Sequence, residues 1–373
     1  MPPLGTRPGH GDNPSVSRRR RKAARGQRGQ KAGLPPGTPI YTGVETARPI
    51  RISALEYDAE TASLHEEITP SDLVRFRDSG RTTWICIDGV HDVAQIQKVA
   101  EIFGLHPLVV EDIVNVGQRP KYDDYGSYIF VVARNLSLDS DSGEVATEQV
   151  GFVLGKDWLL TFEEHQPTLF GAIASRIAKG QAQARQKNVD YLMYRLLDTM
   201  VDNYFVITEQ LGVKLEDLED RALSNPRRET IESVLTMKHS LIEMRRAVWP
   251  MREVIGWLER GESALLRPES RIYFRDIYDH TIQLIDMLEN LRDVVGTVHD
   301  LYLNSVGLKL NEVMKALTLI STIFMPMTFI ASVGGMNVLF PGKEQLSGWY
   351  GTLGLMAAAA LGMYLWFRTR RWL

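Results

Sequence analysis

Cysteine is nearly missing from this chain: Cys86 is the single one in 373 residues. That excludes an internal disulfide and any cysteine-built metal centre, and it fits a reducing cytoplasm. Cys86 stands in the apolar run Trp84-Ile85-Cys86-Ile87, where a thiol serves as a small buried hydrophobe. No apolar h-region occurs between Met1 and Gly43, so no secretory signal is expected. A Gly-rich phosphate loop, a metalloprotease helix and a nucleophile elbow are all lacking, and the chain is not expected to be an enzyme. The eight histidines, His106, His280 and His299 among them, are scattered, and each reads as a structural or surface residue rather than a ligand. Two further absences are informative in the other direction. No proline interrupts the chain between Pro268 and Pro326, and no charge falls within Ala316–Gly342 or Gln345–Phe367.

The formal charge of -3 sums a basic head, an acidic middle and an apolar tail, so it names no partner. Residues 1–44 form a basic tail whose composition cannot bury enough apolar surface to order itself. Its run Arg18-Arg19-Arg20-Arg21-Lys22 has no interleaved aromatics and no adjoining fold, so no nucleic-acid partner is expected, and anionic lipid is the surface it could touch. Residues 45–170 suggest a cytoplasmic α/β domain. There Ile50 to Glu56 and Thr82 to Asp88 read as strands, and Val93 to Phe103 and Pro107 to Val116 as helices. Two hairpins follow, Ser127 to Leu138 with Glu148 to Leu154, and then Trp158 to Glu163. Residues 171–268 read as a helical hairpin region, with helices over 188–223 and 229–260. The acidic run Leu215-Glu216-Asp217-Leu218-Glu219-Asp220 either concentrates a cation or is a solvated helix face.

In the proline-free stretch Leu284, Leu288, Leu291, Val295 and Val298 recur at steps of three and four. They predict one helix over 272–333, on the order of 90 Å long at 1.5 Å per residue. Its stalk, residues 269–315, leads directly into a first membrane span, 316–335. A connection, 336–349, a second span, 350–367, and a basic tail, 368–373, follow. Trp349, Tyr350, Trp366 and Phe367 sit where interfacial aromatics belong. Lys309 and Lys315 precede the first span and Arg368, Arg370 and Arg371 follow the second, so both termini are expected in the cytoplasm. Two helices cannot enclose a wet path, so conduction would require several copies around one axis. Small residues on the second span, Gly351, Gly354, Ala357 to Ala360 and Gly362, permit the close helix contacts this needs. On the first span Asn311, Met314, Leu317, Ser321, Met325, Thr328 and Ser332 share a face, and four of the seven carry an oxygen. Such a stripe can line a pore with hydrated sites between apolar constrictions, although Thr318 and Thr322 mark another face and hydroxyls also serve as interhelical contacts.

The segment NEVMKALTLISTIFMPMTFIASVGGMN, Asn311 to Asn337, resembles the first membrane helix and signature turn of CorA transporters, whose hallmark is Gly-Met-Asn at the outer mouth. The similarity continues through YFRDIYDHTIQ (Tyr273 to Gln283), DLYLNSV (Asp300 to Val306) and HPLVVEDIVNVGQRPK (His106 to Lys121). The resemblance implies an α-helical membrane protein: an α/β N-terminal cytoplasmic domain, long helices and a two-helix transmembrane domain, assembled as a funnel-shaped homopentamer in the inner-membrane lipid bilayer. It implies inward passage of hydrated Mg²⁺, and of Co²⁺ or Ni²⁺, with Gly335, Met336 and Asn337 as the selectivity motif. Neutral Asn337 carboxamides suit an ion that surrenders its water reluctantly. The resemblance further implies gating by cytoplasmic Mg²⁺ between subunits, held by Asp112 and Asp300, with Glu111, Asp198 and Asp276 around a secondary position.

Three departures from the family pattern stand out. Gly334 occupies a place where many members have an aromatic, Ser332 one where many have glycine, and Phe340 to Leu346 replace the usual loop. Lys343 there partly cancels Glu344. The rival readings are a zinc-transporting relative, against which Met336 counts, and a two-span sensor or scaffold that binds Mg²⁺ without flux.

Overall fold

The computed structural model describes residues 33, 35–43, 48–139, 142–164, 169–181, 183–336 and 346–370. The chain divides into two compact units, Met1–Leu218 with Glu232–Gly296, and Glu219–Ile231 with Thr297–Leu373. In chain order the elements are β1 (Arg51–Tyr57), β2 (Ala62–His65), α1 (Leu73–Arg77), β3 (Thr82–Asp88), α2 (Val93–Phe103), α3 (Pro107–Val114), β4 (Lys121–Asp124), β5 (Ile129–Leu138), β6 (Val145–Leu154), β7 (Trp158–Glu163), α4 (Gly171–Ala178), α5 (Val189–Ser224), α6 (Arg228–Arg260), α7 (Arg271–Gly334) and α8 (Leu346–Thr369).

The first unit is built on a seven-stranded sheet ordered β2-β1-β3-β7-β6-β5-β4, in which β3 and β7 run parallel and their neighbours antiparallel. Both faces are apolar because both are covered. One face presents Ile52, Ile85, Ile87, Phe130, Val132, Val153 and Phe162 to Phe76, Val99, Phe103, Val109 and Ile113 of α1, α2 and α3. On the other, Trp84 and Phe152 meet Phe170 edge-on at 6.4 and 6.2 Å, and Trp84 Nε1 donates to Thr161 Oγ1. Helix α5 ties itself to β5 there, since Asn203 Nδ2 donates to Leu136 O at 2.7 Å and the Tyr204 hydroxyl to Arg134 O. Cys86 lies on this face in register with Thr161, and burial raises its thiol pKa, as expected of a structural thiol.

Local chemistry sets the helix ends. Asp92 caps α2 by accepting from Gln95 N, and Gly104 closes it at φ 62°. His106 Nδ1 accepts from Leu108 N ahead of Pro107, so this histidine is a cap, in keeping with its structural reading. Helix α3 stops at Val114, two residues short of the sequence expectation. Thr42 N takes the Val114 carbonyl and Arg134 Nη1 the Val116 carbonyl, so the chain beyond is held by other partners. Within the same unit α5, α6 and the first part of α7 pack along their apolar rows, with Leu196, Met200, Met244, Val248, Phe274, Ile277, Leu284 and Leu288 all buried.

In the second unit the continuation of α7 and most of α8 show the reverse. Phe329 is 70% and Met325 72% exposed. Helix α8 has 24 residues and reaches about 36 Å, enough to cross a hydrocarbon layer. The long helix of the sequence reading is one unbroken element of 64 residues that passes through Pro326.

Candidate functional site

Along the upper part of α7, Leu319, Ile323, Pro326, Met327, Ile330 and Gly334 are half-buried, at the steps that define one helix face. On α8, Thr352, Met356, Ala359, Met363 and the buried Phe367 do the same. A Cβ placed on Gly334 would lie 3.4 Å from Thr352 Cγ2, so the end of α7 meets the first turns of α8 there. Leu317, Ser321, Met325, Thr328 and Ser332 lie roughly half a turn around the helix from the shaded face, and all are exposed, as are Asn311 and Met314 below them. From Leu317 to Ser332 the candidate stripe is therefore turned away from α8.

Its oxygens have a defined polarity. Thr328 Oγ1 donates its proton back to Phe324 O at 2.9 Å and so offers outward only lone pairs. Thr318 and Thr322 donate likewise to Met314 O and Thr318 O, on other faces. Gly335 ends the helix, its N–H shared between Ala331 O at 3.0 Å and Ser332 O at 3.2 Å, and Met336 N follows to Val333 O. Met336 is exposed. Asn337 and the loop Phe340 to Gln345 lie outside the described residues.

The five acids expected to bind regulatory Mg²⁺ are distributed unevenly. Asp112 on α3 accepts from Gln118 Nε2 and from Lys121 Nζ, both at 2.6 Å, and Lys121 also reaches Asp123 at 3.0 Å. Glu111 Oε2 accepts from Gly37 N at 2.8 Å, which fastens the segment before β1 onto α3. Asp300 is exposed in the second unit, 3.4 Å from His299 Nδ1. Asp198 on α5 and Asp276 on α7 do come together. Among the described residues they form, with His280, the one group of at least three potential ligands whose donor atoms all lie within 4.8 Å. Asp198 is buried, and desolvation pushes its pKa up to about 6, helped by Asp202 and opposed by Arg195, which binds it at 2.7 Å. His280 stacks edge-on against Phe205 at 5.8 Å and its Nδ1 is buried with no hydrogen-bond partner. Two carboxylates and an imidazole fit a divalent cation, the oxygens suiting Mg²⁺ and the nitrogen a later transition metal. Sequence reasoning passed over His280, although its i+4 spacing from Asp276 puts both on one face of α7.

A family model described as "CorA-like Mg2+ transporter protein" matches residues 79–371. The chain belongs to the CorA family. The Cobalt/magnesium transport protein CorA of Thermotoga maritima is 41% identical over 344 residues, covering 92% of this chain and 98% of that protein. A Putative metal ion transporter of Bacillus subtilis, YfjQ, is 30% identical over 290 residues, covering 78% and 89%. The solved CorA magnesium transporter of Methanocaldococcus jannaschii superimposes with a TM-score of 0.71 at 22% identity, over 88% of this chain and all of that one. The CorA fold thus extends over sheet, long helix and both apolar helices, as the resemblance implied. A CorA-family chain is a transporter rather than an enzyme, consistent with the missing catalytic motifs.

Proposed function

We propose that this chain forms a homopentameric channel that passes hydrated Mg²⁺, and also Co²⁺ or Ni²⁺, across the inner membrane into the cytoplasm, with both termini on the cytoplasmic side. The observation that carries the reading is the stripe from Asn311 to Ser332, exposed throughout and, from Leu317 upward, facing away from the partner helix α8. Five copies of α7 around an axis would turn it into rings of oxygen separated by rings of Leu and Met. The waters around Mg²⁺ point their protons outward, so walls that accept hydrogen bonds suit the intact hydrated ion. Thr328, whose proton is committed to its own helix, is such an acceptor.

Gly335, Met336 and Asn337 would form the outer selectivity ring, holding the hydration shell through neutral carboxamides without trapping the ion. The membrane potential supplies the drive: at 100 mV, inside negative, a doubly charged ion gains roughly 4.6 kcal/mol on entry. Cytoplasmic Mg²⁺ would close the path by bridging subunits through Asp112 and Asp300, with Glu111, Asp198 and Asp276 at a second position. Loss of that ion leaves the acids repelling one another and shifts the population toward the open form. Lys121 on Asp112 bears on this step, because an ion arriving there must displace or share with an ammonium already 2.6 Å away.

Dye-reported Mg²⁺ uptake into proteoliposomes tests the proposal. Wild type should conduct, and Asn337→Ala should lower uptake by an order of magnitude or more. A membrane-anchored sensor would show no uptake even as wild type.

A further inference from the structure

The carboxylates of Asp88 and Glu163 play no part in the ion path or the gating acids, yet they are placed with care. β3 and β7 run parallel, and these two residues end the strands directly opposite one another, so their side chains leave the same face side by side. Gly89, at φ 97°, turns the chain immediately beyond Asp88, with its N–H on Glu163 O at 2.8 Å. Glu163 is only 6% exposed and Asp88 half-buried. Asp88 Oδ1 and Glu163 Oε1 are both buried with no hydrogen-bond donor among the described residues.

On the next strand, Glu148 of β6 lies two positions beyond Val150, the partner of Glu163, and therefore on the same face. Its charge is close enough to act on Glu163. Arg51, paired across β1 with Asp88 and itself exposed, is a cation whose charge acts on Asp88. Arg51 offsets part of the Asp88 charge, but the buried Glu163 oxygen has no donor among the described residues, and two such acids side by side are costly unless a positive charge sits between them.

We propose that Asp88 and Glu163, with Glu148 beside them, hold one divalent cation inside each subunit at this end of the sheet. Two carboxylates balance its charge, and Mg²⁺ typically takes one or two carboxylates and keeps several waters, which the half-open Asp88 side admits. The ion would bridge β3 to β7, the one parallel junction of the sheet, and so staple the antiparallel pair β1 and β2 to the β7–β4 meander.

Mn²⁺ is a spin-active stand-in for Mg²⁺, and counting bound Mn²⁺ per subunit by EPR on the purified full-length protein is the test. Glu163→Gln and Asp88→Asn, both isosteric, should each lose one Mn²⁺ per subunit, whereas Asp300→Asn should keep this ion whatever it does to the others. The count is independent of flux, so a failed transport reading leaves it standing. An unchanged count in Glu163→Gln, together with loss of a pH-dependent shift in melting temperature, would mean that the pair shares a proton and would overturn the proposal. An unchanged count with no such loss overturns it equally.

Discussion

Phenylalanine is used in opposite ways at two places in this chain. Phe130 on β5 is wholly buried between sheet and helices, while Phe329 on α7 is 70% exposed. The first unit makes its own apolar interior. The second displays its apolar residues outward, where the proposed assembly in a bilayer would cover them with lipid and with other copies of the chain. The contrast predicts which substitutions act on folding and which on conduction.

The largest expected effect is on the sheet. Phe130→Ala should cost about 3–5 kcal/mol, since the ring leaves a cavity in a close-packed core. Phe329→Ala should cost well under about 1 kcal/mol, because the exposed ring packs against little of its own protomer. Thermal melts of the two variants in the same detergent check the pair. Equal losses would mean that α7 is buried in the protomer and would break the comparison. Next in size is Met325→Lys on the outward stripe. It should leave the melting temperature within a few degrees of wild type and abolish uptake, because in the proposed pentamer five ammonium groups would ring the path and repel a divalent ion. Ile323→Lys on the shaded face should do the reverse, lowering stability first.

The sequence was legible where one physical requirement spans many residues. The proline-free stretch gave α7 to within a residue, and the second charge-free run falls on α8, which begins four residues before the expected 350, because long uncharged segments leave few alternatives to a helix. Several expectations lie outside the described residues: the basic run Arg18 to Lys22, Asn337, the loop Phe340 to Gln345 and Arg371. The short elements β2, β4, α1 and α4 left no periodic trace, being four to eight residues long. Nothing local could disclose that β3 pairs in parallel with β7, since that junction joins segments distant in the chain. Asp88 and Glu163 were invisible for the same reason, each reading as an ordinary acid at a strand end. The grouping of His280 was hidden differently: its neighbour Asp276 stands at i−4, but Asp198 comes from α5, and only packing brings the third candidate donor in.

A smaller effect separates the acids. Asp276→Ala should weaken inhibition of uptake by internal Mg²⁺ several-fold, and His280→Ala should do so more for Co²⁺ than for Mg²⁺, because an imidazole favours the later metal. Uptake measured against internal concentration of each ion decides. Equal shifts for both ions would remove the nitrogen from the site.

The smallest effect is a pH dependence that the two regions should not share. Burial, then Asp88 and Glu148, push the Glu163 carboxyl up to about 9. An acid raised in the fold stabilises it fully below its ordinary value near 4.5, and that contribution is lost as pH rises toward 9. Asp88 and Asp198, each raised to about 6 chiefly by desolvation, have finished titrating by then, so the window between about 7 and 9 belongs to Glu163. In EDTA the melting temperature should fall by a few degrees across that window, and Glu163→Gln should flatten it. Added Mg²⁺ should restore wild type more at the alkaline end than at neutrality, since a cation competes with the proton for the same oxygens. A restoration equal at both ends would assign the effect of Mg²⁺ to the gating acids, and the sheet end would then carry a proton alone.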